Sequence, residues 1–205
     1  MSKINIAVLG STSGTDLQAI IDAKQEGKLE NIDLSVVISN QQKAYILKRA
    51  EKNNIPAVFV DAKGKTREEY DHALLGILKV YKIDFILCIG WMRILSPKFV
   101  QTYKKKIANI HPSLLPKYAG GMDLNVHAEV LKNNEKESGC TLHWIDEGVD
   151  TGEIITQKKV EIKDNETSES LKKKVQKAEG ELFVEFLKNY QSPPIGINPG
   201  ASQNI

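Results

Sequence analysis

Residues 85–116, which read FILCIGWMRILSPKFVQTYKKKIANIHPSLLP, predict the repeating unit of the fold. The continuous apolar run Phe85–Ile89 predicts a strand that is buried on both faces. Ser96 and Pro97 are typical of a helix N-cap and a first helical residue, so a short helix should follow the strand. Lys106–Ile110 predicts the next strand. A strand, a crossover helix and a further strand form the basic unit of a parallel sheet.

The same alternation extends to both sides of this unit. On the N-terminal side, strands are expected at Ile4–Leu9, Leu34–Ser39 and Ala57–Val60, with helices at Asp16–Glu26, at Gln42–Asn53 and after a Thr66–Glu69 capping box. Thr15 is expected to cap the first of these helices. On the C-terminal side, helices are expected near Val126–Asn133 and after Thr167, and strands at Cys140–Ile145 and Ile154–Val160. We therefore predict an α/β fold with a Rossmann-like, mostly parallel sheet and helices on both faces.

Length and composition restrict the class of protein. The 205 residues suit one domain, which we place at residues 1–191, followed by a tail at 192–205 that we expect to be flexible. The formal net charge is only +2, which does not favour nucleic acid as a partner. No apolar stretch approaches membrane length and no leader precedes the first strand, so the expected compartment is the cytoplasm. Cys88 and Cys140 are expected to be reduced core thiols.

The end of the strand at Lys106–Ile110 carries the first candidate for chemistry. If this segment is extended, Asn109 and His111 point to the same face, because strand side chains alternate. Pro112 lacks a backbone donor and should end the strand, which places an amide and an imidazole where open α/β sheets usually bind ligands. Taken by itself, the pattern fits a packed structural histidine about equally well.

Three other segments have both a functional and an ordinary structural interpretation. The turn from Gly10 to Asp16 joins a strand to a helix, so its N–H groups can bind an anion or simply make the connection. The loop Asp146–Gly152 can place a carboxylate at a site or can be a polar hairpin. Gln176 and Glu179 share one face of the last helix, where local reasoning makes them surface residues.

The chain as a whole resembles the folate-dependent formyltransferases. Four motifs carry the resemblance and together span nearly the whole chain: Leu17–Ile21, Gly90–Ser96, Asn109–Pro116 and Asp146–Gly152. The resemblance implies a formyltransferase-type fold and the transfer of a formyl group from 10-formyltetrahydrofolate, as donor co-substrate, to the amine of glycinamide ribonucleotide. It also implies small-molecule substrates, a monomer or a homodimer, and no role for a metal, nucleic acid or a membrane.

The resemblance further implies roles for individual residues. Asn109 and His111 would donate to the oxyanion that forms during transfer, and Asp150 would orient His111 and relay a proton. The ribonucleotide would be held by the backbone amides of Gly14, Thr15 and Asp16, by Gln176 at the phosphate and by Glu179 at the ribose. The folate would be held by Arg67, Met92, Arg93, Ile94, Leu95 and Asp146. The N-terminal half would then form the nucleotide side of the site, and the C-terminal half the folate and catalytic side.

Two departures from the family pattern bear on these assignments. Asp16 stands where the family has Asn, and its carboxylate would oppose a phosphate. The segment Lys117–His127 has three extra residues and lacks one of two expected histidines.

Two rival functions stay open: a related enzyme that formylates another amine, such as a nucleotide-linked amino sugar, and a non-catalytic module that binds folate or a nucleotide.

Overall fold

The computed structural model describes residues 3–121 and 124–190. Its strands are β1 (Ile4–Leu9), β2 (Ile32–Ser39), β3 (Ala57–Phe59), β4 (Phe85–Cys88), β5 (Ile107–His111), β6 (Glu137–Trp144) and β7 (Ile154–Glu161). Its helices are α1 (Thr15–Gln25), α2 (Tyr45–Lys52), α3 (Arg67–Val80), α4 (Pro97–Thr102), α5 (Leu124–Lys132) and α6 (Ser168–Asn189). Each strand and helix expected from the sequence is found within a few residues of its expected place. The expected flexible tail at 192–205 lies outside the described residues.

Within the described part of the chain, seven strands form one sheet in the order β3-β2-β1-β4-β5-β6-β7. Strands β1 to β5 run parallel, whereas β6 pairs antiparallel with β5, and β7 pairs antiparallel with β6. This confirms the predicted Rossmann-like, mostly parallel sheet. The strand order changes direction between β1 and β4, and such a switch point opens a crevice at the carboxyl ends of the two strands.

Successive strand residues point to opposite faces of the sheet, and helices cover each face. Ile6 and Val8 of β1 belong to a buried apolar cluster with residues of α1, α2, α5 and α6. Ala7 and Leu9 belong to a second cluster with residues of α3 and α4. The central strands are therefore buried on both sides, which explains their continuous apolar sequences.

Helix caps agree with the sequence in α3 but not in α1. Thr66 and Glu69 form the expected capping box at the start of α3. The expected cap at Thr15 is wrong, because the N-cap of α1 is Gly14, which has a φ of 66°, and no side chain caps the helix. A Cβ at Gly14 would lie 2.4 Å from the Ile46 side chain, so both the turn and the packing require glycine. The first N–H groups of α1 thus lack a side-chain acceptor and are suited to bind an anion.

Cys88 and Cys140 are free and buried, as expected for core thiols. Burial raises the pKa of both thiols, so neither is a thiolate nucleophile at neutral pH.

Across residues 3–121 and 124–190, no helix combines the length and the apolar character that crossing a membrane requires.

Candidate active site

A cavity of about 600 Å³ lies at the switch point of the sheet, and its volume is in the usual range of small-molecule sites. Its wall is built from the turn after β1, the loop after β4, the end of β5, the loop between β6 and β7, and one face of α6. Every site residue predicted from the sequence lines this cavity except Arg67. The sheet topology therefore brings together segments that are far apart in the chain.

His111 and Asp150 form an ion pair at the cavity wall. The Nδ1 atom of His111 lies 3.0 Å from Oδ2 of Asp150, and both side chains are largely buried. Asp150 reaches this position from the β6–β7 loop with a φ of 54°, a left-handed conformation that Asp tolerates better than most residues. The backbone N–H of Gly120 also donates to Asp150 Oδ2, at 3.0 Å. The structure thus brings the two predicted partners into contact, while their catalytic roles stay predictions.

His143 lies between Asn109 and the same carboxylate, although it was not among the predicted site residues. The strand register pairs Asn109 with His143, and Asn109 Nδ2 lies 3.1 Å from His143 Nε2. His143 Nε2 is also 3.5 Å from Asp150 Oδ1. His143 Nδ1 lies 2.9 Å from the Trp144 carbonyl oxygen, which assigns a proton to Nδ1 and lets Nε2 accept from the Asn109 amide. The sequence signal for His143 is its place on the strand that leads into the Asp146–Gly152 loop.

The surroundings of His111 favour its imidazolium form. Its Nδ1 faces the Asp150 carboxylate, and its Nε2 lies 2.9 Å from the Tyr118 carbonyl oxygen. Both partners only accept hydrogen bonds, so both ring nitrogens are satisfied only when each carries a proton. Burial acts to raise the pKa of Asp150, but the hydrogen bond and the charge of His111, together with the N–H of Gly120, hold this pKa well below its usual range. The pair therefore sets an ionised carboxylate against an imidazole ring whose two nitrogens both face acceptors.

The loop that carries Asp150 is held in one shape by its own residues. Asp146 Oδ1 accepts from the N–H of Gly148 at 3.0 Å and from the hydroxyl of Thr151 at 2.7 Å. A Cβ at Gly152 would lie 1.8 Å from the Trp144 carbonyl oxygen, so this position admits only glycine. These contacts fix the loop, and they give Asp146 a structural role beside the folate contact predicted for it.

The apolar side of the cavity is the loop after β4. Met92 and Ile94 are 46% and 54% exposed, so they offer an apolar surface to a ligand. The guanidinium carbon of Arg93 lies 4.4 Å from the centroid of the Tyr70 ring, a distance typical of a cation–π contact. Leu95 is buried and packs in the core, so only a small part of it faces the cavity.

Arg67 is the predicted site residue that the structure places elsewhere. It is the first residue of α3, it is exposed, and its Nε atom lies 3.3 Å from Oε1 of Glu68. It is not among the residues that line the cavity. A contact between Arg67 and the folate would require the ligand to extend beyond the cavity.

The opposite end of the cavity is polar. Gly14, Thr15 and Asp16 at the start of α1 meet Gln176 and Glu179 of α6 there. Asp16 and Glu179 are only 7% and 6% exposed, so both carboxyls are buried at the cavity wall. The local interpretation of Glu179 as a surface residue is therefore wrong, because α6 packs this face against α1.

The donor set of the site defines what it can do chemically. Asn109 and His111 offer N–H donors, Asp150 offers a carboxylate, and the β4 loop offers an apolar wall. This set suits a reaction in which negative charge develops on an oxygen atom. Among the described residues, no group of three or more His, Cys, Asp or Glu side chains is arranged to hold a metal ion.

Comparison with known proteins agrees with this chemistry. The formyl transferase family profile matches residues 4–187. The phosphoribosylglycinamide formyltransferase of Haemophilus influenzae is 40% identical over 184 residues, which cover 89% of the chain and 85% of that protein. The trifunctional purine biosynthetic protein adenosine-3 of Drosophila melanogaster is 41% identical over 199 residues. This match covers 96% of the chain but only 14% of the trifunctional protein, so the chain spans a small part of that relative.

Solved structures share the fold. Glycinamide ribonucleotide transformylase 1 from Symbiobacterium toebii superposes with a TM-score of 0.85 at 35% identity, covering 91% of the chain and 86% of that structure. A phosphoribosylglycinamide formyltransferase from Coxiella burnetii, in complex with CHES, gives a TM-score of 0.85 at 37% identity with the same coverage. The similarity therefore extends over nearly the whole described chain.

Proposed function

The chain belongs to the formyl transferase family, and we propose that it transfers the formyl group of 10-formyltetrahydrofolate to the amine of glycinamide ribonucleotide in purine biosynthesis. The observation that carries this proposal is the network in which Asn109, His143, Asp150 and His111 meet at the wall of one cavity. Relatives that share most of the chain bear the name phosphoribosylglycinamide formyltransferase, which supports this choice of amine.

Formyl transfer to an amine passes through a tetrahedral intermediate. The amine nitrogen bonds to the formyl carbon, the carbonyl oxygen gains negative charge, and the bond from that carbon to the folate nitrogen then breaks. One proton leaves the attacking amine and one reaches the departing nitrogen, so atoms and charge balance. Fixed donors at the charged oxygen are usually the largest single contribution to such a reaction.

Asn109 and His111 are positioned to supply those donors. The Asn109 amide donates one hydrogen to His143, which fixes the amide and leaves its second N–H for the substrate. The Nε2–H of His111, which donates to the Tyr118 carbonyl, can be taken over by the oxyanion. Asp150 stabilises the imidazolium and relays the proton that the amine releases.

The two ends of the cavity suit the two substrates. The exposed side chains of Met92 and Ile94 and the neighbouring Val149 form an apolar wall for the flat ring of a folate, which supplies the formyl group when bound. The uncapped start of α1 suits a phosphate, and Glu179 suits the ribose. The folate is also expected to contact Arg67, Arg93, Leu95 and Asp146. The phosphate is also expected to contact Gln176.

Composition and family resemblance support further proposals. The reaction needs no metal. The two substrates are small-molecule partners, and neither nucleic acid nor a membrane takes part. The protein works in the cytoplasm as a monomer or a homodimer. Residues 1–191 form one domain.

The proposed function is tested with a panel of amines. The protein is mixed with 10-formyltetrahydrofolate and either glycinamide ribonucleotide, a nucleotide-linked amino sugar or buffer, and loss of the donor is followed by absorbance. Rapid loss is expected with glycinamide ribonucleotide alone. Loss with the amino sugar alone would support the rival enzyme, and binding of the donor without loss under any condition would support a non-catalytic module.

Glu179→Ala is expected to weaken ribonucleotide binding and to leave folate binding unchanged. Removal of a buried hydrogen-bond partner corresponds to about 1–3 kcal/mol, so the ribonucleotide Kd should rise by about one to two orders of magnitude. Separate titrations of the two ligands measure this. Glu185→Ala, an exposed position on the same helix, is the matched control and should change neither Kd. An equal rise in the Kd of both ligands would show that Glu179 does not contact the ribonucleotide specifically.

A further inference from the structure

Strands β2, β1 and β4 are neighbours in the sheet, and one hydroxyl joins the segments that follow them. The hydroxyl of Ser11, in the turn after β1, donates to Oδ1 of Asn40 at 2.6 Å, and Asn40 directly follows β2. The same oxygen accepts from the backbone N–H of Met92, in the loop after β4, at 3.0 Å. A hydroxyl has one hydrogen to donate and two lone pairs that accept, so it makes both contacts at once. Ser11 therefore bridges three segments that are far apart in the chain.

Two of these segments carry opposite ends of the cavity. The turn after β1 leads to the uncapped start of α1 at Gly14, whereas Met92 belongs to the exposed apolar wall. Ser11 is only 9% exposed, and neither Ser11 nor Asn40 is among the residues that line the cavity. A ligand in the cavity is thus expected to contact the segments that the bridge holds, but not the bridge itself.

The bridge extends the contact between the turn and the β4 loop beyond the sheet. The backbone N–H of Ser11 donates to the carbonyl oxygen of Gly90 at 3.1 Å, which continues the pairing of β1 with β4. A Cβ at Gly90 would lie 2.4 Å from Oγ1 of Thr12, so the two segments are in close contact here. Two residues further on, the N–H of Met92 takes the Ser11 hydroxyl as its partner instead of a backbone carbonyl. The position of Met92 relative to the turn therefore depends on this hydroxyl.

We propose that Ser11 is a positioning residue for formyl transfer: its hydroxyl, oriented by Asn40, sets the separation between the apolar wall and the start of α1. The role rests on the proposed function, in which the wall holds the formyl donor and the start of α1 holds the ribonucleotide. The reacting atoms must approach to about 3–3.5 Å, and a misplacement of about 1 Å can lower the rate about a hundredfold. Because each substrate is held by a different segment, an error in their separation affects the chemical step more than it affects the contacts of either substrate.

Ser11→Ala is expected to slow the chemical step by about ten- to a hundredfold when both substrates are saturating, and to change each Kd far less. Single-turnover rates and separate titrations of the two ligands measure this. The fold should persist, because the backbone bond to Gly90 does not need the side chain. Ser35→Ala is the matched control, since the Ser35 hydroxyl donates to Asp33 within β2 at 2.9 Å and joins no loops. It should react at the wild-type rate.

Asn40→Ala tests whether Asn40 acts through Ser11. Alone, it should slow the chemical step in the same direction as Ser11→Ala but by a smaller factor. Added to Ser11→Ala, it should cause no further loss of rate, because the hydroxyl that it orients is already gone. Two independent losses would multiply instead, and a multiplicative result would show that Asn40 does not act through Ser11.

Amide hydrogen exchange of the ligand-free protein tests the bridge without any substrate. The Met92 amide should exchange faster in Ser11→Ala than in the wild type or in Ser35→Ala, because its acceptor has been removed. Unchanged exchange at Met92 would show that Ser11 does not hold the β4 loop.

The outcomes separate the positioning role from the proposed function. A folded Ser11→Ala protein that reacts at the wild-type rate would refute the role and leave the proposed function intact, and so would a higher Kd with a normal rate at saturation. If the wild type transfers no formyl group to glycinamide ribonucleotide, the proposed function and the role of Ser11 in that reaction both fail. Should Ser11→Ala fold poorly, the rate and the Met92 exchange of Asn40→Ala decide by the same criteria.

Discussion

Asp150→Asn is expected to slow the chemical step of formyl transfer by about two to four orders of magnitude. The substitution keeps the size of the side chain but removes the charge that faces the His111 ring at 3.0 Å. Without this carboxylate, the imidazolium loses its stabilising partner and the released proton loses its acceptor. Binding of both substrates should change far less, since the lost interaction matters most in the transition state.

Single-turnover rates with both substrates saturating measure this effect without interference from binding or product release. The matched control is Glu147→Gln in the same loop, an exposed side chain whose carboxylate accepts from Gln101. It should react at the wild-type rate. If the β6–β7 loop is only a polar hairpin, Asp150→Asn should lose a little stability and react at the wild-type rate. Such a result would show that Asp150 has no catalytic role.

His111→Ala is expected to lower turnover by about two to three orders of magnitude, the usual effect of removing one oxyanion donor. The fold should persist, because the strand pairing of β5 does not depend on this side chain. Stability should nevertheless fall by about 1–3 kcal/mol, since Asp150 loses a hydrogen-bond donor inside a largely buried site.

Turnover measured at saturating concentrations of both substrates, with circular dichroism to confirm folding, checks this prediction. His72→Ala is the control, because His72 is exposed on α3 and does not line the cavity. Near-normal turnover of a folded His111→Ala protein would show that His111 has no catalytic role.

Local sequence patterns were sufficient to predict the order of strands and helices. The placement of Asn109 and His111 on one face followed from the period of a strand, and the capping box of Thr66 followed from its spacing to Glu69. The cap assigned to Thr15 failed because the packing of Gly14 against Ile46 decides where α1 begins, and no pattern within the turn reveals that contact.

The remaining features depend on contacts between distant segments. His143 joins the site because β6 pairs antiparallel with β5 in a register that sets it opposite Asn109. Glu179 is buried because α6 packs closely against α1. Arg67 was predicted to line the site but does not, because its place at the start of α3 leaves it outside the cavity that the other predicted residues line.

Transfer of a labelled formyl group distinguishes a formyltransferase from a protein that only binds or hydrolyses the donor. The protein is mixed in a single turnover with glycinamide ribonucleotide and 10-formyltetrahydrofolate that carries ¹³C in its formyl group, and the products are identified by mass spectrometry. We expect the label to appear in the formamide of the ribonucleotide, with one tetrahydrofolate released for each labelled product. Label that remains in the donor, or that is released as formate while the ribonucleotide amine is unchanged, would contradict it.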